Sequence, residues 1–167
     1  MKNSKMMLSA AFFLTAIVFP LATIAAPARE AEALFRDAEG KEWILSELST
    51  AASAGSAGKT TFMDRQKLAL NNMAGFYTIS FREGRLSGLG APNRYNGPYS
   101  TGANRLISIG NIASTMMAAF MEPEELKEND YFNYLSGAKR WDLLDGKLEL
   151  YCLSRGGDEA ILTFTLR

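Results

Sequence analysis

The sequence predicts a small, mainly β protein, an antiparallel barrel or highly curved sheet that carries one α-helix. Three observations lead there. Phe76-Tyr77-Thr78-Ile79-Ser80-Phe81 and Ala160 to Leu166 alternate with the period of two that a half-buried strand requires. Asp145-Gly146 is a dipeptide favoured in two-residue hairpin turns, and strand-like runs recur around it at hairpin spacing. One segment only, opened by Pro123 and closed by Gly137, carries clear helix start and stop signals.

In chain order, Arg29 to Gly40 is charged and Ala-rich, and reads as a short helical lead or a frayed arm. Trp43 to Leu48 is the first strand. Ser49 to Lys59 is almost wholly Ser, Thr, Ala and Gly, the composition of a surface loop. Thr60 to Asn72 is open between strand and helical turn. The Phe76–Phe81 strand places Tyr77, Ile79 and Phe81 on one face and Thr78 and Ser80 on the other. A tight turn at Arg82 to Arg85 leads into Leu86 to Leu89. Gly90 to Tyr99 is rich in Gly, Pro and Asn and reads as a loop, and Leu106 to Ile109 as a short strand. In the helix, Glu124 and Glu125 suit the positive end of the dipole, and Tyr131, Phe132 and Leu135 share a side. Leu126 falls off that face, which allows a break near Asn129-Asp130. Lys147 to Leu153 and Ala160 to Leu166 are the closing strands, the latter with Ala160, Leu162, Phe164 and Leu166 on one face.

The N-terminus predicts an export signal over residues 1–28. Lys2 and Lys5 precede an uncharged, mostly apolar Met6 to Leu21, and small residues follow up to Ala28. An apolar run of about 16 residues is short for a bilayer that needs roughly 20. Cleavage is expected after Ala28, with Ala25 as the alternative. The single cysteine, Cys152, lies far from any lipid-anchor position, so the protein is expected in the periplasm or outside the cell and not as a lipoprotein. Residues 29–41 would then form an N-terminal arm and 42–167 the folded domain.

Composition excludes several function classes. The 167 residues hold 18 Lys and Arg against 18 Asp and Glu, so no basic excess points to nucleic acid. There is no histidine, which removes Ser-His-Asp and Cys-His catalysis and every His-containing zinc site. One cysteine permits no internal disulfide and no four-Cys metal site. No catalytic residue, metal site or cofactor is predicted.

From Trp43 onward the order of landmarks resembles the META domain family, the HslJ-like proteins of bacterial envelopes. Trp43-x-Leu45 opens it. Gly84-x-Leu86-Ser87-Gly88 leads into Asn93-Arg94-Tyr95-Asn96-Gly97-Pro98-Tyr99, similar to the family's Asn-x-aromatic-x-Gly-x-Tyr. Ile112 to Ala118 resembles its Ala-x-Thr-x-Met-Ala segment, with Thr115 at the Thr, and the helix, Trp141 and Leu148-Glu149-Leu150 follow in order. The resemblance implies a compact barrel-like fold, an envelope setting and a link to stress tolerance or secretion. It implies no catalytic residue. In the family pattern a Cys commonly precedes the motif Asn and another follows the Met-Ala segment; here those positions are Pro92 and Ala119. A lost disulfide would make the two spatial neighbours, with Cα atoms within roughly 10 Å, and pin the polar loop against the Met/Ala segment.

The candidate sites each have a plain structural reading beside the functional one. Asn93, Arg94, Tyr95 and Tyr99 could form a recognition loop, with an arginine fork and two stacking faces. Alternatively, Asn93 would bond loop backbone, Gly97 would take a positive φ, and the tyrosines would cover a barrel end. Trp43, Gly88, Gly97, Thr115 and Trp141 are read as structural. Glu122, Glu124, Glu125 and Glu128 are expected to be a solvated face complementing the helix dipole rather than an acid/base pair. Asp145 is explained by its turn. Met116, Met117 and Met121, with Ala113, Ala118, Ala119 and Phe120, are expected to pack against the sheet. Lys59, Arg65 and Lys67 are too sparse for a nucleic-acid footprint.

The expected role is therefore non-enzymatic, in the envelope, through binding of an envelope protein or small ligand, with no nucleic acid and no stable membrane span after cleavage. One alternative is an apolar-ligand carrier with a cavity of roughly 300 Å3 or more. Side chains of Trp43, Ile79, Phe81, Leu150 and Phe164 filling the barrel would sink it. The other is a carboxylate-based hydrolase, which needs two buried acids on one cleft. Cys152 is expected to be buried and inert beside Leu148 and Leu150.

Overall fold

A computed structural model describes residues 34–50, 59–118, 122–157 and 159–167. The expected signal peptide and most of Ser49 to Lys59 lie outside them. The strands are β1 (Glu42–Thr50), β2 (Thr61–Asp64), β3 (Thr78–Arg82), β4 (Arg85–Leu89), β5 (Arg94–Thr101), β6 (Ile107–Ile109), β7 (Ala113–Ser114), β8 (Ala138–Leu144), β9 (Lys147–Leu153) and β10 (Glu159–Leu166). The helices are α1 (Arg65–Leu70) and α2 (Glu128–Ser136). The fold is mainly β, as the alternation predicts.

All strand pairs are antiparallel, in the order β6-β5-β4-β3-β1-β10-β9-β8. The first strand thus sits at the centre. It runs against β10 from Trp43–Leu166 to Thr50–Ala160 and meets β3 at Glu42 to Ile44. Past an irregularity between Leu45 and Glu47 its other edge is taken by β2. The two outer strands are brought together by a bridge between Leu106 and Arg140, which nearly closes the sheet into a barrel. Arg105 ion-pairs with Asp142 at this seam. Inward positions interdigitate as one core that includes Trp43, Leu45, Ile79, Phe81, Leu150 and Phe164.

The hairpins follow from turn chemistry. Asp145 and Gly146, and likewise Glu83 and Gly84, all have positive φ, the backbone that suits the right-handed twist of two-residue hairpins.

Five expectations are resolved or revised. The Gly90–Tyr99 loop is mostly strand: Tyr95, Gly97 and Tyr99 face inward from β5 while Arg94, Asn96 and Pro98 face out. Proline fits because its carbonyl still accepts from the Gly110 amide. Thr60 to Asn72 is both strand and helix, with Asp64 capping α1 by accepting from the Lys67 amide at 2.8 Å. The clear helix starts at Glu128 without a break at Asn129-Asp130, because Pro123 to Leu126 forms a turn that buries Leu126. Gly137 does end it, through φ −86° and close approach rather than a left-handed cap: a Cβ there would lie 1.7 Å from the Leu153 carbonyl oxygen. The described part of the arm is not frayed. Phe35 packs edge-on to Phe81 and Trp141, and the Ala38 carbonyl accepts from the Trp43 indole at 2.9 Å.

Candidate functional site

The polar residues that the sequence singles out converge where the β4–β5 connection meets the start of α2. Gly90 to Asn93 wraps around the carboxylate of Glu128. Its Oε1 accepts from the backbone amides of Ala91 and Asn93, each at 2.6 Å, and its Oε2 from Asn93 Nδ2 at 2.6 Å. Glu128 is only 7% exposed, which overturns its assignment to a solvated acidic face. It is buried because three N–H donors replace its water. Any side chain at Gly90 would collide with it, since a Cβ there would sit 2.5 Å from Oε1.

Asn93 spends its whole amide in this knot. Besides Glu128, Nδ2 donates to the Met117 carbonyl at 3.1 Å, while Oδ1 accepts from Thr115 Oγ1 at 2.8 Å and from the Met117 amide at 2.7 Å. Thr115 Oγ1 also accepts from the Arg94 amide at 3.2 Å. The polar loop is thus tied to the Met/Ala segment by hydrogen bonds. Ala119 itself lies outside the described residues, so the expected Pro92–Ala119 neighbourhood does too. The described part of the segment is not packed against the sheet as expected: Met116 is 98% and Met117 62% exposed, while Phe120 and Met121 lie outside the described residues. Its backbone is held at the edge by β7 and Asn93, so burial of its side chains is not what fixes it.

Of the four recognition-loop candidates, only Arg94 faces solvent. Asn93, Tyr95 and Tyr99 are buried, and the two tyrosines offer no stacking face. Tyr95 donates to the Thr78 carbonyl at 2.8 Å and lies 3.0 Å, hydroxyl to hydroxyl, from Tyr131. Tyr77 donates to the Leu126 carbonyl at 2.7 Å, and Tyr99 to Glu39. Burial pushes the Tyr77, Tyr95 and Tyr131 phenols above their ordinary value. These hydroxyl donors hold the start of α2 to the barrel.

The motif glycines serve the same packing. A Cβ at Gly88 would meet the Thr78 carbonyl oxygen at 2.0 Å and the Tyr95 ring at 2.8 Å. Gly97 has no positive φ, contrary to expectation; a Cβ there would press on the Asn111 carbonyl oxygen at 3.0 Å. Trp43 and Trp141 are core residues, and Trp141 Nε1 finds no partner among the described residues. Cys152 is buried, and burial pushes its thiol up. Among the described residues no group of three or more His, Cys, Asp or Glu could hold a metal ion, and no helix is long and apolar enough to cross a membrane.

Sequence reasoning missed Glu128 as a buried group. Nothing local separates it from Glu124 and Glu125; its partners arrive from a loop 35 residues away.

A barrel nearly closed at the β6–β8 seam, with a motif asparagine locked to the helix that follows it, defines a class, and the comparisons give it a family. Residues 37–165 match the META domain, and the chain belongs to the META domain family. A protein from Burkholderia xenovorans, solved by NMR, shares its fold with TM-score 0.54 at 19% identity over 92% of this chain and 99% of that one. A DUF4847 family protein from Bacteroides vulgatus ATCC 8482, solved by crystallography, does so with TM-score 0.57 at 13% identity over 79% of this chain and 96% of that one. No curated protein matches this sequence.

Proposed function

We propose that this chain is an exported, non-enzymatic META-domain protein of the bacterial envelope that acts through its outer surface, by binding or assembly, in envelope stress tolerance. One observation carries the reading: the barrel space is filled by side chains and the buried carboxylate of Glu128 is already committed. Trp43, Ile79, Phe81, Leu150 and Phe164 are each no more than 1% exposed and occupy the room an apolar-ligand carrier would need. Glu128 is the one buried carboxylate among the described residues, and both its oxygens are taken by the loop. A two-carboxylate hydrolase lacks its second acid there.

Export is supported by the charged, apolar and small-residue sequence of residues 1–28. The test is fractionation of cells making the full-length chain, with N-terminal sequencing of the product. A periplasmic or secreted form beginning at Arg29, or at Ala26, is expected. A cytoplasmic form that keeps residues 1–28 would overturn the envelope setting.

A further inference from the structure

The outward face of β3, β4 and β5 is a trough with a chemistry of its own. Ser80 lies opposite Ser87, and Ser87 opposite Asn96, so the floor is a row of short polar side chains across three strands. Long cationic side chains rise around it: Arg82 opposite Arg85 at one end, Arg94 opposite Leu89 at the other, and Lys41 with Arg167 beside β1. The open groove measures about 710 Å3, and its lining holds four cationic side chains against one carboxylate, Glu42. Arg167 engages that carboxylate at 2.8 Å. Lys41, Arg82 and Arg94 have no ion pair among the described residues. In a chain with equal numbers of acidic and basic residues, this is a local concentration of positive potential.

The floor is set to read polar atoms. Asn96 Oδ1 accepts from Arg85 at 2.6 Å, which turns its NH2 group into the free donor. Ser80 donates to the Lys41 carbonyl at 2.8 Å and keeps its lone pairs as acceptors. The Ser87 hydroxyl has no bond among the described residues. β3 and β4 are paired on both edges, so a peptide cannot add there as a strand. Tyr95, the only aromatic residue in the lining, is buried and offers no platform for a nucleobase. What fits is a ligand with negative charge at its periphery and hydroxyls along its length.

We infer that Lys41, Arg82 and Arg94, set around Ser80, Ser87 and Asn96, bind an acidic polysaccharide, a chain of carboxylate-bearing sugars. This rests on the surface-binding role proposed above and names its ligand class. Arginine forks take the carboxylates, and the serine and asparagine floor takes the sugar hydroxyls.

The test is calorimetric titration of the protein, purified from cells expressing the full-length chain, with oligogalacturonate. Saturable binding is expected, weakened at least about tenfold when salt rises from about 0.1 M to about 1 M and the screening length falls from roughly 10 Å to roughly 3 Å. Arg82→Ala and Arg94→Ala should each weaken it at least about tenfold, the size of one hydrogen bond to a charged group, without shifting the melting temperature. Ser87→Leu keeps every charge but fills the floor, and should abolish binding. No binding, or equal binding of neutral dextran or of polyglutamate, overturns the inference, as does unaltered binding by Ser87→Leu. Export is read separately by fractionation: a secreted protein that ignores oligogalacturonate loses the groove alone.

Discussion

The side-chain amide of Asn93 and the carboxylate of Glu128 bind one another across 35 residues of sequence, Nδ2 donating to Oε2 at 2.6 Å. The same Nδ2 and the Oδ1 of the asparagine hold the segment around Thr115 and Met117. Two buried side chains therefore join three pieces of chain: the β4–β5 connection, the Met/Ala segment and the start of α2. That explains why the motif position is Asn, which donates and accepts at once.

Glu128→Gln should destabilise the fold by about 1.5–3 kcal/mol, because an amide NH2 would then face the N–H donors that now point at an oxygen. Denaturant unfolding measures it. A loss as small as that of Glu124→Gln, on the exposed side of the same turn, would contradict the lock.

Gly88→Ala should be worse than its single added methyl suggests. The methyl would lie 2.0 Å from the Thr78 carbonyl oxygen that Tyr95 also binds, so the backbone of β3 or the ring must move. A cost of about 3 kcal/mol is expected, at the upper end for overpacking. The control is Gly146→Ala in the β8–β9 turn, which meets no neighbour but keeps an unfavourable φ of +72°, and should cost about 1 kcal/mol.

Stability should fall in alkali from the buried phenols. Burial raises the pKa of Tyr95 and Tyr131 in the folded state above the ordinary 10.0. Above pH 10 the unfolded chain releases protons that the folded chain keeps, so deprotonation favours unfolding. The stabilisation is complete below pH 10 and is lost as pH rises toward the folded-state values, by up to about 1.4 kcal/mol per pH unit for each phenol. Unfolding followed by tyrosinate absorbance should show the two events together. Tyr131→Phe should flatten the slope; an unaltered slope would exclude it as a source.

Cys152 should resist maleimide in the native protein and react once on unfolding. Its thiol is buried among apolar side chains and its ionisation is opposed by desolvation, so little thiolate is available. Labelling of native protein at the rate of free cysteine would refute this placement.

Strand identity was legible where side chains alternate between apolar and polar, as at Ile79 and Phe81 with Ser80 and Arg82 between and after them, since burial on one face writes a period of two. It failed at β5 because Gly97 and Pro98 carry local turn signals, whereas the reason for Gly97 is a distant one, the Asn111 carbonyl pressed against it. The same holds for the site. Asn93 and the motif glycines stood out by type, but Glu128 looked like its neighbours because its burial is decided by partners far away in sequence. The trough was missed for another reason. Arg94 stood out as a recognition candidate, but Ser80 and Arg82 are unremarkable outward residues until strand register lines them up with Ser87, Asn96 and Arg94.

The pairing of β1 with β10 along their shared length sets the order of assembly. The strand made first has no neighbour on that edge until residues 159–166 exist. Before then a growing chain holds β1 with the meander of β3 to β6, and a hairpin of β8 and β9 that meets it at the β6–β8 seam but not along β1. Such long-range closure is slow. Closure of the barrel is thereby postponed until β10 has been made, and a polypeptide lacking that strand leaves the facing edges of β1 and β9 unpaired.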